Sequence, residues 1–191
     1  MENGKRNSSD LDQRPGAIRI YDGAIGADFC DELIQAFEDN VEELGEVLQD
    51  DQRDFVEYNY TKHNTESDIH GNLMSHFAEL FKHYLKDNGV GLMMKLAGFE
   101  QLKIRKYAKD TEQNFKIHTD VVDNDSSIRA VGFLFYLNDV KGNTDFPLQN
   151  MGVEPLKGRV VIFPPGWDYP YIDYTGEDND KYVMSTYLHY A

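Results

Sequence analysis

The sequence lacks the features of an exported or membrane-bound protein. It contains one cysteine, Cys30, which cannot form a disulfide within the chain, so nothing indicates an oxidising compartment. No apolar run approaches the length of about 18 residues that suggests a membrane span. The opening residues, MENGKRNSSDLDQ, also lack the apolar core of a signal peptide. We therefore expect a cytoplasmic protein that does not enter a membrane.

Basic residues are also scarce. The chain has 19 Lys and Arg against 34 Asp and Glu, which gives a formal net charge of −15. A field of this sign repels phosphate backbones, so we expect no nucleic-acid partner and consider basic proteins or peptides easier partners. The same acidity also serves solubility alone. The 191 residues suit one folded domain, expected over 16–191, with a disordered tail over 1–15.

The spacing of apolar residues predicts two helices followed by a β-rich half. A short first strand is expected at residues 17–21. A helix follows with Asp28 as N-cap and an end near Leu48, and a second helix spans 71–86. Residues 50–68 between them are expected to be irregular or strand-like, a candidate lid. Short β-type runs separated by turn-rich segments come next, at 100–107, 114–121, 128–137, 158–163 and 181–189.

A possible metal site lies in the run FKIHTDV. On a strand, His118 and Asp120 point to the same face, so an imidazole nitrogen and a carboxylate oxygen can reach one divalent ion. Two histidines and one carboxylate on one face of an octahedron are the ligands of non-haem iron oxygenases. The pair alone is weak evidence, because short His-x-Asp pairs also arise by chance. Its weight depends on the sequence around it.

The surrounding motifs occur in a consistent order along residues 17–190. They are IRIYD at 18–22, FCDELI at 29–34, IRKY at 104–107, HTD at 118–120, AVGFLFYLNDV at 130–140, GNTDFP at 142–147, VEPLKGR at 153–159, FPP at 163–165 and KY at 181–182. In this order the chain resembles the prolyl-4-hydroxylase-like branch of the 2-oxoglutarate (2OG) and iron(II)-dependent dioxygenases, especially its short microbial and phage versions. Each motif is weak alone, but the order and spacing together are fairly specific.

The resemblance implies a fold and a set of roles. The fold is an α+β, mainly β, double-stranded β-helix (a cupin-like jelly roll) with the N-terminal helices packed on one sheet. His118 and Asp120 would hold Fe(II), and Lys181 would pair with the distal carboxylate of 2OG, assisted by Tyr107 and by Ser185. The implied reaction hydroxylates a protein or peptide side chain, prolyl or similar, with Fe(II) and 2OG as cofactors and ascorbate as a further candidate.

The chain departs from the family at the third metal ligand. The family has a histidine about ten residues before the co-substrate lysine, where this sequence has Tyr171, and Tyr169 replaces a second histidine of the phage versions. A phenol with an ordinary pKa of about 10 is a poor ligand for iron(II) near neutral pH. Three outcomes are open. Metal binding and turnover persist weakly, or the fold survives as a metabolite- or protein-binding module, or another residue such as His63 completes the site.

A substrate groove is the least specific of the expectations. Aromatic side chains at Trp167, Tyr58, Tyr60 and Tyr169 are candidates for its walls, although aromatic residues are as readily explained by a core. Specificity is expected in the loops over 48–70 and 108–114. The sequence does not identify the substrate or the oligomeric state.

Overall fold

The computed structural model describes residues 16–64, 68–89, 95–109, 111 and 114–191. The expected disordered tail over 1–15 lies outside the described residues, as do parts of the loop over 108–114. Within the described part of the chain, no helix is long and apolar enough to cross a membrane.

Three helices precede most of the strands. Their bounds are α1 (Ala27–Leu44), α2 (Tyr60–Asn64) and α3 (Asp68–Asn88). The strands of the described residues are β1 (Arg19–Tyr21), β2 (Glu46–Gln49), β3 (Asp54–Asn59), β4 (Leu96–Phe99), β5 (Lys103–Tyr107), β6 (Asn114–His118), β7 (Arg129–Tyr136), β8 (Thr144–Phe146), β9 (Met151–Val153), β10 (Val160–Phe163), β11 (Tyr171–Tyr174) and β12 (Lys181–Tyr190).

The strands form two antiparallel sheets. The larger has the order β1-β10-β7-β12-β5-β3-β2, with β4 also paired to β12, and the smaller has the order β6-β11-β8-β9. Several neighbours in both sheets are far apart in sequence, as in β12 between β5 and β7, which is the connectivity of a jelly roll rather than of a simple meander. The predicted fold class, mainly β with two sheets and few helices, is confirmed.

Two hydrophobic cores lie on opposite faces of the large sheet. Alternation along β7 sends Phe133 and Phe135 toward the helices, where they join Phe37 of α1 and Phe77 of α3. The intervening Leu134 and Tyr136 face the small sheet, in a second core with residues such as Phe146, Phe163 and Tyr171. The helices therefore pack on one sheet, as predicted, and the space between the sheets remains for a site.

The structure corrects the first half of the chain. The first helix does not reach Leu48: it ends at Leu44, because the C-cap residue Gly45 has extended dihedrals (φ −75°, ψ 151°) and the chain continues as β2. The helix also begins after Gly26 rather than with Asp28 as N-cap. For residues 54–59 the strand-like alternative is confirmed and the lid is wrong, because they form β3 inside the large sheet between β5 and β2. The second helix is longer than predicted at both ends.

Candidate functional site

A cleft of about 420 Å³ opens where the two sheets approach each other. The lining residues come from both sheets and from the segments before β3 and β5. They are Asp50, Gln52, Arg53, Glu100, Gln101, Lys103, Arg105, Phe115, His118, Thr119, Asp120, Val122, Arg129, Ser185 and Tyr187. The volume lies within the range of small-molecule and cofactor sites, about 300–1,000 Å³. Because all three residues of the HTD motif line it, this cleft is the candidate site.

His118 ends β6 with its ring in a defined tautomer. Its Nδ1 lies 2.7 Å from the Lys116 carbonyl, and a carbonyl only accepts, so Nδ1 carries the proton and Nε2 keeps its lone pair. Phe115 stacks on the ring, with centroids 3.4 Å apart and planes at 10°. Burial lowers the pKa of His118, although the nearby Asp120 opposes that shift. The ring is therefore neutral near pH 7, the form that binds a metal.

Asp120 lies just beyond the strand and is fixed through its backbone. Its N–H donates to the Pro165 carbonyl at 3.2 Å, and its carbonyl accepts from Arg129 Nη1 at 2.6 Å. The Tyr171 hydroxyl donates to Asp120 Oδ1 at 3.2 Å, and the Tyr171 ring centroid is 4.2 Å from that of His118. The strand register explains this contact, since Tyr171 on β11 faces His118 on β6. The three residues that the sequence placed at the metal site therefore meet.

Two side-chain atoms at this site are suited to bind a metal ion. His118 Nε2 and Asp120 Oδ2 are both buried and have no hydrogen-bond partner among the described residues, and Nε2 lies 3.7 Å from Asp120 Oδ1. Buried polar atoms without a partner require an explanation, and a bound cation is one. A third strong ligand is missing, because no group of three or more His, Cys, Asp or Glu side chains suited to a metal occurs in the part of the chain described. Burial, followed by the charge of Asp120, holds the pKa of the Tyr171 phenol well above its usual value, which favours the neutral hydrogen-bond donor over a phenolate ligand.

Lys181 is completely buried, is not among the residues that line the cleft, and already has a carboxylate partner. Its Nζ lies 3.1 Å from Asp173 Oδ1, and both side chains have 0% exposure. The Thr144 hydroxyl also donates to Asp173 Oδ1, and the Tyr107 hydroxyl lies 3.5 Å from Oδ2. Burial alone would raise the pKa of Asp173, but Lys181 and the Thr144 hydrogen bond outweigh it and lower the pKa, so Asp173 is ionised. A lysine, a threonine and a tyrosine thus surround one internal carboxylate, which we call the Lys181 cradle.

The family resemblance implies that Lys181 binds 2OG, but the Lys181 cradle does not fit this co-substrate. The group that should receive the distal carboxylate of the co-substrate is occupied by the Asp173 carboxylate. Lys181 Nζ also donates to the carbonyls of Tyr174 at 3.0 Å and Gly142 at 3.4 Å, so its donors are used within the chain. A second carboxylate in the same buried space would meet like charge, which disfavours ionisation of both. Of the residues expected to bind 2OG, only Ser185 lines the open cleft.

Sequence reasoning missed Asp173 and Arg105. Asp173 lies two residues after Tyr171 and shares its inward face on β11, so strand alternation would have found it if 171–174 had been predicted as a strand. Arg105 lies two residues before Tyr107 on β5, so the same alternation places both side chains on one face of that strand. It is 7% exposed and its Nε donates to Glu57 Oε2 at 3.0 Å.

The predicted groove residues do not gather at the cleft. Tyr58 and Tyr60, at 1% and 2% exposure, lie in the core between the large sheet and the helices, and this contradicts their assignment to groove walls. The face of β3 that carries Tyr58 is covered by α1. His63 stacks on Tyr58 with centroids 5.7 Å apart, so it does not complete the metal site. Neither Trp167, which is 81% exposed, nor Tyr169, which accepts a hydrogen bond from the Ala17 N–H, is among the residues lining the cleft.

Comparison with known proteins finds similarity in structure but not in sequence. No family model and no curated protein matches the chain. A prolyl-4-hydroxylase from Pseudomonas putida superimposes with a TM-score of 0.74 at 16% identity, covering 96% of each chain. The viral collagen prolyl hydroxylase of Paramecium bursaria Chlorella virus-1, in its 2OG complex, gives a TM-score of 0.69 at 16% identity, covering 94% of this chain and 98% of that one.

A third solved structure contains a bound peptide. It is a prolyl hydroxylase from Trichoplax adhaerens in complex with a peptide fragment of the hypoxia inducible factor oxygen degradation domain. The TM-score is 0.69 at 14% identity, and 95% of this chain and 86% of that one are covered. At this level of identity the likeness establishes one thing: the chain has the jelly-roll fold of the prolyl hydroxylases.

Proposed function

We propose that this protein is a binding module that keeps the prolyl hydroxylase fold, holds a protein or peptide segment at its cleft, and does not turn over 2OG. The observation that carries the proposal is the buried ion pair between Lys181 and Asp173. Lys181, at the position of the family's co-substrate lysine, is paired with a carboxylate of the same chain, that of Asp173. Tyr171 at the third ligand position supports the same conclusion.

Energetics favour the internal carboxylate over a free one. Asp173 lies on β11, whose pairing with β6 also brings Tyr171 to His118, so folding itself places the Asp173 carboxylate beside Lys181. A 2OG molecule would in addition lose translational and rotational freedom on binding. To reach Lys181, the co-substrate would have to displace Asp173 and leave that carboxylate buried without its charge partner. Uncompensated buried charges are strongly destabilising. The chain therefore does not select 2OG at Lys181.

A protein or peptide partner is supported from two directions. The Trichoplax enzyme with the same fold holds a peptide fragment, which supports peptide binding by this architecture. The net charge of −15 favours a segment with basic residues outside the cleft and opposes nucleic acid through long-range repulsion. The open cleft supplies the concave surface that a side chain of the partner would enter.

A second candidate function, an oxygenase, is favoured by one specific observation. The buried Nε2 of His118 and Oδ2 of Asp120 have no partner in the described residues and would suit Fe(II). In that case the protein would use Fe(II) and 2OG, with ascorbate as a further cofactor, to hydroxylate a prolyl or similar side chain. The Lys181 cradle would then have to open before 2OG binds.

Measurement of succinate separates the two functions. Wild-type protein is incubated with Fe(II), 2OG, ascorbate and oxygen, beside a protein-free control and the double variant Tyr171→His/Asp173→Gly. We expect no succinate above the control from the wild type. Succinate from the double variant would show that the two substitutions account for the loss. Steady production of succinate by the wild type would overturn the proposal and establish the oxygenase.

A further inference from the structure

We propose that the cleft binds a carboxylate group on the guanidinium of Arg105, a residue that neither the motif analysis nor the metal site uses. The inference rests on the proposed binding function, because it names the chemistry of the ligand that the same cleft takes. Lys181 is already paired with Asp173, whereas Arg105 still has a donor without a partner in the described residues, so we place anion binding at Arg105.

Arg105 is held rigidly but is not saturated. Its Nε donates to Glu57 Oε2 at 3.0 Å, and its guanidinium carbon lies 5.3 Å and 5.4 Å from the ring centroids of Phe55 and Phe115. The side chain is 9% exposed and lines the cleft. Its Nη1 is buried and has no hydrogen-bond partner in the part of the chain that the structure describes. A buried charged donor in this state is costly until a ligand accepts from it.

Arg105, Lys103 and Glu57 together carry one surplus positive charge, which is balanced by Asp120 when the whole cleft is counted. Glu57 accepts from both Arg105 and Lys103, the latter at 2.7 Å, so two cations share one carboxylate. The other basic side chains of the cleft are paired. Arg53 lies 2.6 Å from Asp50, and Arg129 lies 2.7 Å from Glu100.

A carboxylate matches this arrangement better than a phosphate does. A guanidinium presents its donors in a planar fork that fits a planar carboxylate, and the single surplus charge equals that of one carboxylate. A phosphate dianion would exceed the surplus and would lie in a cleft that also contains Asp120 and Glu100. The Ser185 hydroxyl lines the same cleft, on the strand position paired with Lys103, and adds a neutral donor. The site therefore suits one carboxylate.

Two sources of carboxylate are compatible with this chemistry. One is a free small dicarboxylate, represented by succinate, glutarate and 2OG. The other is an acidic side chain of a peptide, represented by acetyl-Ala-Ala-Glu-Ala-Ala-amide, with the Gln peptide as its uncharged match. Titration calorimetry at constant ionic strength measures both arms, and the arm that binds more tightly identifies the source.

The variants isolate Arg105 from folding. The test uses Arg105→Gln, because this variant leaves the buried Glu57 with its other cation, Lys103, at 2.7 Å. Lys157→Gln removes one positive charge at an ion pair with Asp31, outside the cleft, and controls for net charge. Arg105→Lys keeps the charge but removes the fork.

We expect saturable binding of at least one carboxylate probe to the wild type and to Lys157→Gln, and affinity at least about tenfold weaker in Arg105→Gln. Arg105→Lys should be intermediate. Absence of saturable binding by every probe, or equal affinity in the wild type and Arg105→Gln, would overturn the inference. These outcomes are separate from turnover: succinate production together with Arg105-dependent binding would overturn the proposed function only.

Discussion

Removal of the Asp173 carboxylate is the perturbation that most directly probes the Lys181 cradle. In Asp173→Ala, the Lys181 ammonium remains buried at 0% exposure and keeps two backbone carbonyls and the Thr144 hydroxyl, but it loses the carboxylate that lies 3.1 Å away. Removing one partner of a buried ion pair typically costs about 3–5 kcal/mol. For a chain of this size, that corresponds to a fall in Tm of about 6–20 °C.

The double variant Asp173→Ala/Lys181→Met provides the matched control. It replaces the ion pair by apolar side chains, a change that is often neutral or stabilising by about 1–4 kcal/mol. Differential scanning calorimetry of the wild type, the single variant and the double variant gives the three free energies of unfolding. We expect the single variant to be the least stable and the double variant to recover most or all of the loss.

Small carboxylates should also rescue the single variant. Asp173→Ala leaves a hole of carboxylate size beside an unpaired ammonium, so acetate should bind the folded state and raise its Tm. At a hundred times its dissociation constant, acetate adds about 2.7 kcal/mol to the free energy of unfolding. Chloride at equal ionic strength controls for screening. A single variant as stable as the double variant, or equally stabilised by acetate and chloride, would refute the view that Asp173 is the charge partner of Lys181.

Three further predictions concern acid, backbone geometry and the metal. The pKa of Asp173 is lowered from 3.8 in the folded protein, so the ionised carboxylate stabilises the fold fully above pH 3.8 and this stabilisation is lost as the pH falls through the lowered pKa. Acid unfolding of Asp173→Ala/Lys181→Met, measured by circular dichroism, should therefore depend less steeply on pH than that of the wild type. Gly158→Ala should lower the free energy of unfolding, measured in urea, by at least about 2 kcal/mol, because Gly158 has φ +80° and an added Cβ would lie 2.4 Å from the Ile25 carbonyl oxygen. Gly26→Ala is the control: an added Cβ there has nothing within 4 Å, so no clash should reduce stability. Tyr171→His should bind Mn(II) about tenfold or more tightly than the wild type in calorimetry, since it supplies the missing imidazole; equal affinity would contradict a metal anchor near Tyr171.

The sequence sufficed to predict the architecture because the fold is encoded redundantly. Short β-type runs between turn-rich segments, together with the order of the motifs, predicted the β-rich half, and the apolar faces of α1 and α3 predicted helices on one sheet. Element ends were harder, since the end of α1 depends on a single glycine, Gly45, in a sequence with a good helical pattern. The lid prediction failed because β3 is polar in part yet lies inside the sheet.

The site was predictable in part for a different reason. Residues on one strand, such as His118 and its neighbour Asp120, are brought together by local geometry, and the structure also brings Tyr171 to them. The charge state of Lys181 depends on Asp173, a residue on another strand, and no spacing rule applied to Lys181 alone reveals it. Tyr58 was misplaced for the same reason, because the packing of α1 decides which face of β3 is covered.

The central claim is that Lys181 is satisfied by Asp173 and does not serve as the anchor for 2OG. The most direct test is the dissociation constant of 2OG, measured by calorimetry in the presence of Mn(II), for the wild type and for Asp173→Ala/Lys181→Met. We predict equal affinities within about twofold, because the ion pair takes no part in binding an external carboxylate. Affinity at least about tenfold weaker in the double variant would show that Lys181 does bind the co-substrate and would contradict the account.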